Sequence, residues 1–195
     1  MNYLAHVYLS GPDKALSIGN FIADHIKGKA YLDYPKTIQK GIILHRKIDH
    51  FTDQHPLFRK NVTLLFPQFR HYSRVIVDMF FDHFLAAQWT FYHPDPLEEF
   101  SRSFYQMMEE YDGILPDKTK KILPVIKKHS WFLAYQSIEG LESILDQMSK
   151  RTRFSSNMSL ALAELEKNYS KIALDFNVFF GELKDFVCQL KDNLF

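Results

Sequence analysis

The sequence predicts an all-α fold, a helical bundle in a single domain that spans residues 1–195. Apolar residues return at spacings of three and four along nearly the whole chain, which is the period of an amphipathic helix. Glycines are few, 7 in 195 residues, and strands are poorly signalled. Hydrophobic residues make up 46% of the chain, with 18 Phe and 10 Tyr, so the chain is expected to bury a core rather than to be disordered.

Prolines separate the periodic segments, because a proline disfavours the helical conformation of the residue before it. The boundary prolines are Pro12, Pro35, Pro56, Pro67, Pro94, Pro116 and Pro124. We predict eight helices, the last with a kink near Gly181. In order, they cover residues 14–28, 36–53, 57–66, 70–91, 96–112, 118–128, 130–150 and 156–192.

Composition excludes several classes of function. The net charge is +1, so nothing draws the whole chain to nucleic acid or to an anionic membrane. The single Cys188 excludes an internal disulfide and a cysteine metal cage, which fits a reducing compartment. The start MNYLAHVYLSG lacks the basic region of a signal peptide, and the longest apolar stretch, residues 75–89, carries charged groups. We therefore expect a cytoplasmic protein with no nucleic-acid or membrane partner.

The segment HRKIDHFTDQH, residues 45–55, contains three of the nine histidines in the chain. His45 and Asp49 lie four residues apart on one helix face, so their side chains can converge on one ion. Imidazole with carboxylate is a usual ligand set for Mn, Fe or Zn. His55, like its neighbour His50, is expected at the surface, and Asp53 could cap the next helix.

Other helices also carry carboxylates on apolar faces. Asp78 and Asp82 share a stripe with apolar residues, and Asp24 lies beside small residues that allow close approach. A buried carboxylate needs a cation or hydrogen-bond donors, and arginines or helix N-termini are the alternative to a metal ion. His6, inside NYLAHVYL, could equally be a hydrogen-bonded core residue.

Together these side chains predict a metal site built from several helices. Such a site polarises a phosphoryl oxygen and lowers the pKa of bound water, so phosphoester hydrolysis is the predicted reaction class. The candidate residues are His6, Asp24, His45, Asp49, Asp78, Asp82 and His83.

The order of the motifs MNYLAH, SIGNFIAD, GIILHRKIDHFTD and VDMFFDHFL resembles the acyl carrier protein phosphodiesterase family. The resemblance runs from residue 1 to about residue 90, and more weakly through WFLAY at 131–135 and the later SKRTRF. It implies an all-helical protein related to the HD-type metal-dependent phosphohydrolases. The implied reaction removes the 4′-phosphopantetheine arm from holo acyl carrier protein to leave the apo form, with manganese favoured.

The resemblance also carries over to individual residues: Asp24, His45, Asp49, Asp82 and His83 match family motifs, and His6 matches the LAH opening. The match does not assign their roles. We predict the first five as metal ligands and His6 as a catalytic residue. A standard HD domain carries a contiguous His-Asp pair, whereas this chain has only the reversed pair at 82–83. Arg46, beside His45, is expected to grip a phosphate, because its planar fork suits two phosphate oxygens.

Acyl carrier proteins are acidic, so a nearly neutral enzyme would need a basic docking patch. Two clusters could supply it, although short lysine runs are most often solvated helix faces: Lys118, Lys120, Lys121, Lys127 and Lys128, or Lys150, Arg151 and Arg153. Two other functions stay open. One is an HD-like hydrolase of nucleotides or other small phosphoesters, and the other is a non-enzymatic helical protein that binds a carrier protein. The sequence leaves the oligomeric state undetermined.

Overall fold

Ten α-helices joined by short 3₁₀ turns account for most of the computed structural model, which describes residues 1–150 and 156–194. No strand occurs among these residues, so the all-α prediction is confirmed. The helices are α1 Tyr3–Ser10, α2 Lys14–Ile22, α3 Lys36–Gln54, α4 Pro56–Phe69, α5 Ser73–Ala87, α6 Leu97–Glu110, α7 Asp117–Lys128, α8 Trp131–Ala134, α9 Ile138–Ser149 and α10 Ala161–Leu194.

The first helix, α1, was not predicted as an element. Its eight residues, YLAHVYLS, are mostly buried on all sides, so the segment lacks the apolar and polar faces that signal a helix. Asn2 caps it, and the Asn2 side chain accepts a hydrogen bond from the Tyr3 amide. The predicted helix 14–28 is also shorter than expected, because the chain tightens into a 3₁₀ turn at Ala23–His25.

The predicted helix 130–150 is divided into α8 and α9. Ser137 begins the second helix as its N-cap, since its hydroxyl accepts a hydrogen bond from the Gly140 amide at 3.0 Å. The helix boundaries predicted at two of the prolines are wrong, because Pro67 lies inside α4 and Pro124 lies inside α7. Both rings are exposed, so water can satisfy the helix carbonyls that lack an amide partner. Helix α10 runs uninterrupted through Gly181.

The core lies beneath the long helix α10, which packs on α3, α4 and α5. Phe176 and Phe179 of α10 contact Phe81 of α5, with ring centroids 5.6 and 5.0 Å apart. These aromatic rings are buried, and each contributes a large apolar surface to the core. No helix in the described part of the chain combines the length and apolar character needed to span a bilayer.

Helices α2 and α3 form the most extensive helix–helix contact in the described chain, and two glycines make their close approach possible. A Cβ atom on Gly19 would lie 2.2 Å from the carbonyl oxygen of Ile38, and one on Gly41 would lie 2.3 Å from that of Leu16. Neither distance is sterically allowed, so any larger residue would push the helices apart. The glycine pair therefore fixes the spacing between α3, which carries His45 and Asp49, and α2, which leads into the turn that carries Asp24.

We predict that Gly41→Ala lowers the free energy of unfolding by about 1–3 kcal/mol or more, because the added methyl group overlaps backbone atoms. Gly181→Ala is the matched control, since Gly181 is also inside a helix but a Cβ there meets nothing within 4 Å. It should stabilise by about 0.5–1 kcal/mol. Urea denaturation measures both, and equal stabilisation by the two variants would show that the contact does not set the helix spacing.

Candidate metal centre

Two imidazoles and two carboxylates meet where α1, α2 and α3 approach one another. His6 comes from α1, His45 and Asp49 from α3, and Asp24 from the 3₁₀ turn after α2. The Nε2 atom of His45 lies 3.0 Å from Asp49 Oδ2 and 3.2 Å from Asp24 Oδ1. The Nε2 atom of His6 lies 3.3 Å from Asp49 Oδ1. The two imidazole rings stack, with centroids 4.0 Å apart.

A buried amide, Asn20 of α2, orients both imidazoles. Its Oδ1 lies 2.8 Å from His6 Nδ1 and 3.2 Å from His45 Nδ1. Its Nδ2 donates to the carbonyl oxygen of His6 and to the hydroxyl of Ser10, which fixes which end of the amide faces the rings. Both Nδ1 atoms must therefore carry the hydrogen. When the rings are neutral, both Nε2 lone pairs point toward the carboxylates.

The electrostatics of the cluster hold a proton on His45. Burial lowers the pKa of His45, but hydrogen bonds with Asp24 and Asp49 outweigh it and raise the pKa to about 9. Burial also lowers the pKa of His6, and the neighbouring His45 lowers it further, so His6 is neutral at pH 7. For Asp49, burial raises the pKa, yet the hydrogen bond from His45 and the close approach of the His6 imidazole hold that pKa well below its usual range.

The residues fit a divalent cation. Ligand atoms of His6, His45 and Asp49 all lie within 4.8 Å of one another. The Nε2 atom of His6 is buried and lies 3.3 Å from Asp49 Oδ1. With the ring hydrogen on Nδ1, neutral His6 presents a lone pair to this carboxylate and forms no hydrogen bond there, which is a rare state for a buried polar atom. An ion would satisfy that lone pair. A metal-binding histidine usually has its other ring nitrogen fixed by a hydrogen bond. Asn20 provides that hydrogen bond to the Nδ1 atoms of His6 and His45.

The cluster opens into a cleft of about 340 Å³. Side chains of Asp24 and Asp49 are 56% and 45% exposed, whereas both imidazoles are buried, so a ligand in the cleft would meet the carboxylates first. The residues that line the cleft are Met1, Asn2, Tyr3, His6, Asp24, His45, Asp49, Thr52, Asp53, Arg74, Val75, Asp78 and Met148.

Two of the predicted metal ligands, Asp82 and His83, lie outside the cluster. Asp82 is fully buried and accepts hydrogen bonds from the amides of Asn2 and Leu4 at 3.1 and 2.8 Å, so it binds the N-terminus of α1. Burial raises the pKa of Asp82 to about 7, although the N-terminal ammonium and these two amides oppose the shift. The structure thus pairs this carboxylate with a helix N-terminus, the alternative to a metal ion.

His83 has both ring nitrogens engaged elsewhere. Nδ1 lies 2.8 Å from the carbonyl oxygen of Tyr135, and Nε2 lies 2.9 Å from the hydroxyl of Tyr169. Neither ring nitrogen of His83 is therefore free to bind an ion that His45 holds. The sequence placed His83 next to Asp82, but adjacent residues on a helix point in different directions, so the two side chains serve different neighbours.

Arg46 is not placed to grip a phosphate. Its Nη2 donates to the carbonyl oxygens of Ile26 and Gly28 at 3.2 and 2.8 Å, and its guanidinium lies 4.9 Å from the centroid of the Tyr31 ring. The side chain therefore holds the turn that follows Asp24 and does not line the cleft.

The expectations for His55 and Asp53 are also wrong. His55 is buried and caps α4 itself, since its Nδ1 accepts from the Leu57 amide at 3.2 Å. Asp53 forms an ion pair with Arg74 of α5 instead. The role of Asn20 was not predicted, although Asn20 is detectable in the sequence as a polar residue between Gly19 and an apolar run within a predicted helix.

Comparison with known proteins places the chain in a family. The sequence model of the acyl carrier protein phosphodiesterase family matches residues 1–183. Relatives named acyl carrier protein phosphodiesterase include one from Photorhabdus laumondii, 25% identical over 194 residues that cover 99% of this chain and 96% of the relative. One from Klebsiella pneumoniae strain 342 is 29% identical over 94% of this chain and 95% of the relative. One from Escherichia coli O6:H1 is 26% identical over 95% of this chain and 96% of the relative.

No solved structure matches the chain, so its relation to the HD-type phosphohydrolases remains a prediction. The family match extends over nearly the whole chain, and it includes the residues of α1, α2 and α3 that build the cluster. The chain belongs to the acyl carrier protein phosphodiesterase family.

Proposed function

We propose that this chain removes 4′-phosphopantetheine from holo acyl carrier protein by metal-assisted hydrolysis, and that His6, His45 and Asp49 hold the ion. The observation that supports a bound metal ion is the buried Nε2 of His6, which has no hydrogen bond among the described residues. Asn20 orients the ring so that this Nε2 faces Asp49, beside the Nε2 of His45. Family membership supports the substrate. Asp24, which lies 3.2 Å from His45 Nε2 and lines the cleft, completes the ligand set.

The reaction adds one water across the bond between the phosphorus and the oxygen of the carrier. The carrier regains its hydroxyl group, and the phosphate leaves with the pantetheine arm. A divalent ion bound to this ligand set supplies a Lewis acid that polarises a phosphoryl oxygen and lowers the pKa of a bound water. Manganese is the ion that the family resemblance implies, and this set of imidazole and carboxylate ligands would hold Mn, Fe or Zn. The protein contributes the fixed imidazole orientation and a cleft that admits the phosphodiester.

Helix α7 is our candidate docking face for the acidic carrier. Its first turn lies beside the metal centre, because Thr119 Oγ1 is 2.8 Å from Nδ1 of His25, the residue after Asp24. Lys120 and Lys127 already pair with Asp112 and Glu109. The exposed lysines of α7 with no ion-pair partner in the described chain are Lys118, Lys121 and Lys128. Of the other candidate cluster, Arg151 and Arg153 lie outside the described residues.

We predict that His45→Ala weakens Mn²⁺ binding by more than about 100-fold, since loss of an outer partner of a ligand alone costs about 10- to 100-fold. His83→Gln is the matched control. It should keep Mn²⁺ affinity within about twofold while lowering the free energy of unfolding by about 1–3 kcal/mol, because it removes buried hydrogen bonds. Isothermal titration calorimetry measures both affinities. A greater loss for His83→Gln would contradict the ligand assignment.

We predict that Mn²⁺ binding at pH 7 releases about one proton, because His45, with a pKa of about 9, is protonated in the metal-free protein. As the pH rises toward 9, that proton is lost and no longer competes with the ion. Apparent affinity should therefore rise about tenfold per pH unit between pH 7 and 9. Titrations in buffers of different ionisation enthalpy count the released protons, and an affinity independent of pH in this range would refute the argument.

We predict that the purified protein with Mn²⁺ removes the phosphopantetheine mass from holo acyl carrier protein, as followed by mass spectrometry. EDTA should stop the reaction, and Asp49→Asn should reduce the rate to less than about 1% of wild type, because it removes a charged ligand. Hydrolysis of nucleotides without any action on the carrier would move the substrate to another phosphoester. Binding of the carrier without turnover under all metal conditions would indicate a non-enzymatic binding protein.

A further inference from the structure

We propose that Arg74 and Thr52 form the phosphate-binding subsite of the cleft, between the metal centre and the first turn of α5. The choice of a phosphate as the ligand rests on the proposed function. The subsite would hold the phosphate of the 4′-phosphopantetheine arm and position it against the metal ligands.

Arg74 is the only arginine or lysine among the described residues that line the cleft. The lining also contains four aspartates and the N-terminal ammonium of Met1, which is buried and paired with Asp78 at 2.6 Å. Arg74 is therefore the exposed cation of the described lining that an entering phosphate can reach. The Arg74 side chain is 49% exposed, so a ligand in the cleft can reach its guanidinium. Its planar fork matches two oxygens of one phosphate, which a lysine does not do.

In the ligand-free protein the guanidinium of Arg74 forms an exposed ion pair with the carboxylate of Asp53. Exposed pairs of this kind are weak, so Arg74 can exchange the carboxylate for a phosphate at little cost. In this account Asp53 holds Arg74 at the cleft while no substrate is present, and it competes with the phosphate for the same donors. Removal of Asp53 should therefore strengthen phosphate binding rather than weaken it.

Thr52 supplies an independent observation. Its side chain lines the same cleft and is 2% exposed, yet its Oγ1 has no hydrogen-bond partner among the described residues. A buried hydroxyl without a partner is uncommon, because its desolvation is not compensated. A phosphate oxygen in the cleft would accept this hydrogen bond.

The distance between the proposed subsite and the metal ligands matches the span of one phosphate group. On α3, Thr52 follows Asp49 by three residues and Asp53 follows it by four, so the two lie about one helical turn, roughly 5.4 Å, beyond the metal ligand. One phosphate can span that separation, with one oxygen toward the metal centre and another toward Arg74. Arg46 is not an alternative, because its donors bind backbone carbonyls outside the cleft.

The test is calorimetric titration of 4′-phosphopantetheine into the full-length protein in buffer that contains Mn²⁺. Arg74→Ala should raise the dissociation constant by about 10- to 100-fold, the loss expected for charge-assisted hydrogen bonds. The dissociation constant of Arg74→Lys should lie between those of the wild type and Arg74→Ala, because lysine keeps the positive charge but lacks the planar guanidinium. Arg59→Ala is the matched control, since Arg59 is exposed on α4 and does not line the cleft, and it should bind as wild type does.

Two further variants separate ligand binding from a structural ion pair. Thr52→Val should weaken binding by about 3- to 10-fold while Tm stays equal or rises, because the hydroxyl that it removes has no partner in the free protein. Asp53→Asn should tighten binding. Equal weakening by Arg74→Ala and Asp53→Asn would show a purely structural pair and overturn the proposal.

Wild-type protein that fails to bind 4′-phosphopantetheine would also overturn the proposal, as would Arg74→Ala with wild-type affinity. The outcome is separable from that of the proposed function. If holo acyl carrier protein is not cleaved but 4′-phosphopantetheine binds in an Arg74-dependent way, the subsite stands and the hydrolysis fails.

Discussion

The close contact between α2 and α3 is the constraint on which the candidate site depends. Gly19 and Gly41 let the two backbones approach to a distance that no side chain would permit. Asn20 follows the first glycine, and His45 lies one helical turn beyond the second. The contact that joins the helices therefore also brings the amide within reach of the imidazole, at 3.2 Å. A wider spacing would break this hydrogen bond and leave the buried Nδ1 of His45 without its partner, at a cost in stability as well as in function.

Asn20 converts this packing into chemistry. One amide oxygen accepts from two imidazoles on different helices, and the amide nitrogen binds the backbone of α1 at His6. The orientation of both rings is therefore fixed before any ligand arrives. In the metal-free protein a proton on His45 joins the carboxylates of Asp24 and Asp49, the same position that a cation would occupy. The two carboxylates therefore account for the raised pKa of His45, and a proton and a cation compete for this one arrangement of side chains.

Much of this arrangement could be predicted from the sequence because it depends on helical periodicity. The four-residue spacing of His45 and Asp49 placed both on one face, and the structure brings them together with His6 and Asp24. Asp82 satisfied the same pattern but binds the N-terminus of α1. Periodicity identifies a carboxylate on an apolar face, whereas the partner of that carboxylate depends on which helix end packs there, a tertiary property.

The remaining differences have the same origin. Helix α1 is buried on nearly every side, so it shows no polar face to mark it as a helix. Arg46 was expected to bind phosphate from its place beside His45, yet neighbours in sequence point apart on a helix, and its donors bind a turn. Arg74 lies in another helix, and only the folded chain places it in the cleft.

The most direct test of the metal centre is a crystal structure of the protein grown with Mn²⁺, with anomalous diffraction used to locate the ion. We predict an anomalous peak in coordinating contact with Nε2 of His6, Nε2 of His45 and the carboxylate of Asp49. A peak beside Asp82 and His83 would contradict this ligand set, as would a cluster that stays free of metal while the protein binds Mn²⁺ elsewhere.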